Sequence, residues 1–276
     1  MALVIGWGVL AGAAWGVVRE FQAARARSAE DRQTLERALR RAEDDAALHH
    51  RLGQWEQFSL PDGSLERALA HFRRAAELNP YESRYALDLA DLLLDQGHPA
   101  AAAAALQRAL RADPRTPRTL WRAGNFWLRA GQPERAVPYL RQVLSAEPGL
   151  APLVIQAAHR TLGDARVVLR DVLPAEPRVL LAYVRHLVAA NQAEDAARVW
   201  QALVRLERPF EVRPALAYVD FLIRTGQVDE AEKAWSDLKR LELVPPHTVL
   251  QPEGERLHNP RLQDPILNGG FGWRVL

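Results

Sequence analysis

The chain has 276 residues, a formal net charge of +2 at pH 7 and 48% hydrophobic residues, so it is long enough to bury a sizeable core. It has no cysteine, which excludes disulfides, thiolate catalysis and cysteine-ligated zinc. Its basic residues are almost all arginines scattered among acids, so no basic tract that would follow nucleic-acid phosphates is present, and no nucleic-acid partner is expected.

Residues 1–18 form the first element, an apolar run without a charge from Ala2 to Val18. As a helix, this run would span roughly 26 Å, slightly less than the hydrocarbon thickness of about 30 Å. The run therefore predicts a single transmembrane or signal-anchor helix, and a cleaved signal remains the alternative.

Residues 19–48 are rich in Arg, Glu, Asp and Ala. Within them Leu35, Leu39, Ala42 and Ala46 recur at helical spacing. The pattern predicts a charged amphipathic linker helix, whose charges form a solvated face or, alternatively, flank a short coiled coil.

Residues 49–245 carry the strongest signal, a repeat. Pro80, Pro114 and Pro148 lie thirty-four residues apart, each after a helical stretch that proline cannot continue. Each unit has a turn residue, where a positive φ is useful, followed by a small, a large and a third apolar residue on its second helix. The first three sets are Gly63, Ala68, Phe72, Ala75; Gly97, Ala102, Leu106, Ala109; and Gly131, Ala136, Leu140, Val143. The last two sets are Asn191, Ala196, Trp200, Leu203; and Gly226, Ala231, Trp235, Leu238.

With this period and these positions, residues 49–245 resemble tetratricopeptide repeats. The resemblance implies an all-α solenoid of about six helix-turn-helix units, with a concave binding face made by the first helix of each pair. Two units depart from the pattern. The first has Leu-Pro-Asp-Gly at 60–63 in place of a clean helix end, and the fourth, between Pro148 and Pro177, is shortened and contains Gly163.

No catalytic or metal-binding pattern is present: the chain has no His-Glu-x-x-His, no Gly-x-Ser-x-Gly and no phosphate loop. We interpret the adjacent His49 and His50 as surface residues, and the acid pair Asp88 and Asp91 as part of a solvated helix face. We therefore expect no enzymatic activity, no cofactor and no metal.

The first helices of the repeats nevertheless offer candidate peptide-binding residues. Arginine forks suit carboxylates or phosphates, and a side-chain amide can bond a peptide backbone, so an acidic or C-terminal peptide is the expected ligand. The set comprises Arg118, Trp121, Arg122, Asn125 and Arg129 of the third unit, which return to one helical face, with Arg84, Arg185 and Arg224 of its neighbours.

This set is similar to the carboxylate-clamp arrangement of some peptide-binding tetratricopeptide domains. The match is partial, because the candidate set contains no lysine and the second unit offers Asp88, Asp91 and Asp95. The alternative is that these Arg and Asp residues pair with each other across repeats. Trp121 and Trp127 are interpreted as packing residues rather than ligand platforms.

Residues 246–276 form an extended tail ending in "DPILNGGFGWRVL", where an Asn-Gly-Gly turn between apolar and aromatic runs predicts a β-hairpin or the entry to a β-domain. Through Asn268, Gly269, Gly270, Phe271 and Trp273, this β-like tail resembles the first strands of a carbohydrate-binding type of β-sandwich that follows helical repeats in some bacterial envelope proteins. Because a sandwich needs about seven strands, the resemblance implies a truncated domain, with carbohydrate binding only if the rest exists. The alternative is that the tail packs against the last repeat.

Together these features predict a non-catalytic, membrane-anchored scaffold that mediates protein–protein interaction, in bacterial envelope or exopolysaccharide assembly. The alternative is the C-terminal module of a larger membrane polymerase or glycosyltransferase, with residues 1–18 as its last membrane helix. Arginines after the anchor favour cytoplasmic repeats, whereas the tail and the cysteine-free composition favour the exterior. We expect a single-pass protein of the bacterial inner membrane with its repeats on the periplasmic side.

Overall fold

The computed structural model describes residues 31–59, 61–244 and 266–272, and all regular secondary structure within these ranges is helical. The predicted all-α class is therefore confirmed for this part of the chain. Thirteen helices are present there: α1 (Arg32–Leu39), α2 (Ala46–Phe58), α3 (Leu65–Leu78), α4 (Ser83–Asp95), α5 (Pro99–Ala112), α6 (Pro117–Arg129), α7 (Pro133–Ala146), α8 (Ala151–Leu162), α9 (Ala165–Val167), α10 (Pro177–Ala189), α11 (Ala193–Val204), α12 (Val212–Arg224) and α13 (Val228–Arg240).

The chain divides into two compact units, the first ending at Ala130 and the second beginning at Gly131. In the first unit, α2 pairs with α3 and α4 pairs with α5, while α6 packs on both α4 and α5. In the second unit, α10 pairs with α11 and α12 pairs with α13. The predicted membrane anchor at 1–18 lies outside the described residues, and none of the helices within them is long and apolar enough to cross a membrane.

The helix of residues 19–48 is not continuous where the structure describes it. Helix α1 ends at Leu39 and α2 begins only at Ala46. The physical reason is Asp45, whose extended backbone and side-chain carboxylate, accepting from the backbone N–H groups of Ala47 and Leu48, make it the N-cap of a new helix. Leu35 packs with Leu48 and Leu52, so α1 belongs to the core of the first unit.

The core positions predicted from the repeat are confirmed in both units. The small, large and third apolar positions of the second helices are almost completely buried, none of them more than 2% exposed. They are Ala68, Phe72, Ala75, Ala102, Leu106 and Ala109 in the first unit, and Ala136, Leu140, Val143, Ala196, Trp200, Leu203, Ala231, Trp235 and Leu238 in the second. The sequence period thus correctly identifies these buried residues of the second helices.

The predicted positive φ at the turns is confirmed at four of five positions, including Gly97 (+75°) and Asn191 (+57°). It is wrong at Gly63, which lacks a positive φ. Gly63 is required for a different reason, because its missing Cβ would clash with the backbone carbonyl oxygen of Glu56. This loop closes over the buried Glu56 carboxylate, which accepts from the Ser64 backbone N–H at 2.9 Å and pairs with Arg67 at 2.9 Å.

The fourth unit is irregular, as predicted. Its first helix, α8, ends at Gly163 with a φ of +70°. The second is reduced to α9 and a π-helical turn over Val168–Val172, with Leu173 extended after it. Ala165, Val168 and Val172 are still buried, so the shortened element contributes to the core of the second unit.

The β-like tail is not confirmed, because residues 266–272 form a turn and contain no strand. These residues pack on α12 and α13, where Phe271 is 8% exposed and contacts Trp235 edge to face. Within the described residues, the alternative of a tail packed on the last repeat is the one that forms. Trp273 lies outside them.

Candidate functional site

The candidate arginines of α6 contact the acids of α4. The Arg122 guanidinium lies 2.6 Å from the Asp88 carboxylate and also pairs with Asp91. Arg129, two turns further along α6, lies 2.9 Å from Asp91 and also pairs with Asp95. The interpretation that these Arg and Asp residues pair with each other is therefore confirmed for the first unit, and that of Asp88 and Asp91 as a solvated face is wrong.

His50 extends this network to α2. Its Nε2 lies 2.5 Å from the second Asp88 oxygen, and its ring packs between those of Phe72 and Tyr85, with centroids 5.6 and 4.8 Å away. Only 3% of His50 is exposed, so its interpretation as a surface residue is wrong. The ring is enclosed because the aromatic side chains of α3 and α4 meet α2 at this point. His50, Asp88, Asp91, Asp95, Arg122 and Arg129 are called the charge ladder below.

The charge ladder is electrostatically satisfied. Burial alone would raise the pKa of Asp88, but the hydrogen bond from His50 and the Arg122 charge outweigh it and lower this pKa. Burial alone would lower the pKa of Arg122, and the nearby Asp88 and Asp91 carboxylates instead raise it. The ionised forms are thus mutually stabilised, and a ligand carboxylate would have to compete with two aspartates for Arg122.

The charge ladder follows the sequence period. Its contacts join residues 31, 34 or 38 positions apart, which is one repeat, or one repeat minus or plus about one helical turn. Opposite charges at these offsets are a signal that would have identified the ladder from the sequence.

The other candidate peptide-binding residues of the first unit lie outside the charge ladder. Arg84 lies 4.0 Å from Glu82 and 5.4 Å from the centre of the Tyr85 ring. The Asn125 amide donates to the Trp121 carbonyl oxygen at 3.0 Å, so it is engaged with its own helix. Arg118 is exposed and Trp121 is half-buried. Trp127 is buried against Phe126, which confirms its packing role.

The second unit presents a groove of about 380 Å³ at the N-terminal ends of three helices. Helix α10 contributes Arg178, Leu181, Ala182 and Arg185, which lie on one side of it because they are spaced by three, four and seven residues. The starts of α8 and α12, with the loop before α12, contribute mainly prolines and Phe210. Hence the groove combines an apolar floor with two cationic side chains.

The two groove arginines have no acidic partner among the described residues. The groove also contains Glu176, whose carboxylate lies 3.1 Å from Arg208, and the exposed Glu211. The groove lining therefore carries two arginines and two glutamates, and the Glu176 charge is already paired with Arg208 outside the lining. Arg224, the other candidate of this unit, is exposed and lies 6.0 Å from the centre of the Phe221 ring, away from the groove residues.

Arg178 and Phe210 were missed as candidates. Arg178 occupies the second position of its helix after Pro177, as the candidate Arg118 does after Pro117. Alignment of helix starts would have identified it, whereas Phe210 lies in an inter-repeat loop that has no periodic equivalent. The described residues contain no group of three or more His, Asp or Glu that could hold a metal ion.

A family model described as tetratricopeptide repeat matches the chain at residues 87–151 and 181–238. Together the two segments make up less than half of the chain, and the match applies to them alone. They include the Asp88, Asp91, Asp95, Arg122 and Arg129 members of the charge ladder and the groove residues Leu181, Ala182 and Arg185, whereas His50 and Arg178 lie outside them. No curated protein sequence matches the chain significantly.

Solved structures similar to the chain include three repeat proteins of low identity. PilW, a widely conserved type IV pilus biogenesis factor, is 18% identical, with 83% of this chain and 95% of PilW covered and a TM-score of 0.40. YrrB, a tetratricopeptide-repeat protein with an unusual peptide-binding site, is 14% identical, with 76% of this chain and 92% of YrrB covered and a TM-score of 0.36. PilF of Pseudomonas aeruginosa is 20% identical, with 74% of this chain and 95% of PilF covered and a TM-score of 0.36. All three TM-scores lie below 0.5.

Proposed function

We propose that this chain is a non-catalytic protein-interaction scaffold that binds an acidic, extended peptide segment of a partner protein in the groove of its second unit. The observation that supports this function is the pair Arg178 and Arg185, two exposed guanidinium groups on one side of α10 with no acidic partner in the described ranges. Guanidinium forks hold carboxylates with two parallel hydrogen bonds, and the apolar floor suits the side chains between them.

Of the candidate residues in the first unit, Arg122 and Arg129 are less suited to this role. They already contact three aspartates, so an incoming carboxylate would gain little and would leave a half-buried aspartate unpaired. We therefore place the peptide contact at Arg178 and Arg185, with Leu181 and Phe210 receiving apolar side chains.

The proposal is tested with the full chain and a fluorescently labelled decapeptide that alternates Glu and Leu and ends in a free carboxylate. Fluorescence anisotropy should show binding that is at least tenfold weaker after Arg178→Glu with Arg185→Glu. Arg160→Glu, an exposed arginine of the same unit outside the groove, is the matched control and should leave binding unchanged. A peptide with Lys in place of Glu should not bind.

Equal binding by the groove variant and the control variant would overturn the peptide site. Loss of binding on Arg129→Glu alone would instead assign the peptide to the charge ladder.

We further propose that residues 1–18 anchor the chain in the bacterial inner membrane and that the repeats face the periplasm, where the scaffold takes part in envelope assembly. The uncharged run at 2–18 supports the anchor. Protease added to spheroplasts should degrade the repeats while a cytoplasmic control protein stays intact. Repeats that are degraded only after lysis would assign them to the cytoplasm.

A further inference from the structure

The last helix pair holds the tail through three contacts of different kinds. The Gly270 backbone N–H donates to the Asp220 carboxylate at 2.6 Å. The Phe271 ring meets the Trp235 ring edge to face, with centroids 5.8 Å apart and an interplanar angle of 78°. Gly269 lies directly on the Leu216 side chain. Because Leu216 and Asp220 are four residues apart on α12, they form one surface with Trp235 of α13.

Two consecutive glycines lie in this contact, and glycine is required at the second of them. A Cβ on Gly270 would lie 2.5 Å from a ring carbon of Trp235, and its φ of +63° is one that other residues rarely adopt. A Cβ on Gly269 would lie 3.1 Å from the Leu216 Cβ and 3.3 Å from the second Asp220 oxygen. The surface thus excludes a side chain at residue 270 and leaves little room for one at residue 269, and an aromatic ring follows.

The turn that presents these residues is closed from within. Asn268 has a φ of +59°, which asparagine tolerates better than most residues, and the Gly272 N–H donates to the Gly269 carbonyl oxygen at 3.1 Å. The segment Asn-Gly-Gly-Phe therefore contacts the surface as a turn with its own backbone hydrogen bond. In sequence, residues 241–267 separate it from the end of the last helix pair, so covalent connection raises its local concentration at the surface.

We propose that Leu216, Asp220 and Trp235 form a binding site for a Gly-Gly-aromatic segment in a turn conformation, and that residues 268–271 are its resident ligand in the same chain. The Asp220 carboxylate recognises a backbone N–H, and Trp235 excludes a side chain at the second glycine and receives the aromatic ring. Leu216 leaves little room for a side chain at the first glycine. The site shares no residue with the α10 groove and does not depend on the peptide binding proposed there. A segment of the same chemistry from another molecule binds only when the tail leaves.

The test uses the full chain with Gly270→Ala, which opens the site, and Gly149→Ala as the matched control. Gly149 belongs to the same unit, has no positive φ, and a Cβ there would meet no atom within 4 Å. Hydrogen exchange should show protection of the amide of residue 270 in the unmodified chain and in the control, and at least a tenfold loss of protection in Gly270→Ala. Far-UV circular dichroism confirms that both variants keep their helices, and Phe271→Ala, which removes the tail's ring from Trp235 but leaves the site residues intact, replaces Gly270→Ala if that variant loses them.

The second measurement adds a labelled, end-blocked peptide with the sequence ILNGGFG at up to millimolar concentration. Anisotropy should rise with Gly270→Ala and not with the unmodified chain, and a peptide with Ala at the second glycine should bind at least tenfold more weakly. Unchanged protection of residue 270 in Gly270→Ala overturns the site, as does equal peptide binding by the opened and unmodified chains. No binding to the opened chain at millimolar peptide overturns recognition and leaves a passive packing contact.

Discussion

The first helices of the repeats differ between the two units in how they use charge. In the first unit, α4 and α6 place three aspartates against two arginines, and His50 of α2 joins them. In the second unit, α10 places Arg178 and Arg185 beside a groove without acidic partners among the described residues. The second helices carry the same small, large and apolar positions in both units. The comparison shows that the second helices share the residues that build the core. The first helices differ: their arginines form salt bridges to the neighbouring helix in the first unit and have no acidic partner among the described residues of the groove in the second.

The shared second helix gives the largest expected effect. Phe72→Ala in the first unit and Trp200→Ala in the second should each lower the free energy of unfolding by about 3–5 kcal/mol, because each removes a fully buried ring from a packed core. Urea unfolding followed by circular dichroism measures both, with the exposed Leu153→Ala as a control expected within about 0.5 kcal/mol. A large cost in one unit and none in the other would show that the two cores are not equivalent.

This shared pattern is the part of the fold that the sequence reveals best. Positions such as Ala102 and Leu106 recur with the period, and a core built by repeating neighbours requires the same size at the same place. Gly63 was correctly placed in a turn but its conformation was wrong, since the sequence does not show that a carbonyl oxygen approaches it. The packing of the tail on Trp235 depends on tertiary contacts that no local pattern encodes.

The candidate site was less predictable than the fold. Arg122 and Asp88 were both noted, yet whether an arginine faces a ligand or an aspartate depends on side-chain contacts between repeats. The same residue types in α6 and α10 therefore reached opposite outcomes, one paired and one open. The sequence feature that distinguishes a paired arginine from an unpaired one is an acidic residue about one repeat length away.

Removing an arginine from each unit sharpens the comparison. Arg122→Ala leaves Asp88 and Asp91 half-buried without their cation and should cost about 3 kcal/mol of unfolding free energy. Arg185→Ala removes an exposed charge and should change stability by at most about 0.5 kcal/mol. Urea unfolding measures both, and Asp88→Asn with Asp91→Asn should recover part of the loss in Arg122→Ala. Similar losses of unfolding free energy in Arg122→Ala and Arg185→Ala would contradict the difference between salt-bridged arginines in the first unit and groove arginines without an acidic partner in the described part of the second.

A histidine pair in the first unit predicts a smaller, pH-dependent effect. His49 and His71 face each other with their Nδ1 atoms 3.0 Å apart, and the His49 Nε2 lies 3.0 Å from the Glu43 carbonyl oxygen. Since a carbonyl only accepts, Nε2 of His49 carries the proton and the His71 Nδ1–H donates to His49. Burial lowers the pKa of both residues. The Arg74 charge also lowers the pKa of His49, and the electrostatic interaction with His49 also lowers the pKa of His71.

Because the folded pKa values lie below the unfolded value of about 6.5, the unfolded chain binds more protons as the pH falls, and stability declines below about pH 6.5. Comparing urea midpoints at pH 7.5 and 5.5 measures this decline, and His71→Gln should reduce it. The carboxylates of Asp88 and Glu56 have lowered pKa values, so their contribution is lost only at more acidic pH. The pKa of His186 in the second unit is lowered by burial and by His159, so part of the decline should persist in His71→Gln. A midpoint that is higher at pH 5.5 than at pH 7.5 would contradict the assignment of neutral histidines.

The smallest expected effect comes from the turn between helices, where the first unit uses Gly97 and the second uses Asn191, both with a positive φ. A Cβ at Gly97 would meet no atom within 4 Å, so only the backbone conformation opposes a side chain there. Gly97→Ala should therefore cost about 1 kcal/mol, Gly97→Asn should cost less because asparagine tolerates this conformation, and Asn191→Gly should change stability by a few tenths of a kcal/mol. Thermal unfolding of the three variants measures this order. Equal losses of stability in Gly97→Ala and Gly97→Asn would show that the left-handed backbone conformation does not determine which residue occupies the turn. The turns at Gly97 and Asn191 would then not be equivalent, although the helices on either side of them have the same pattern of buried residues.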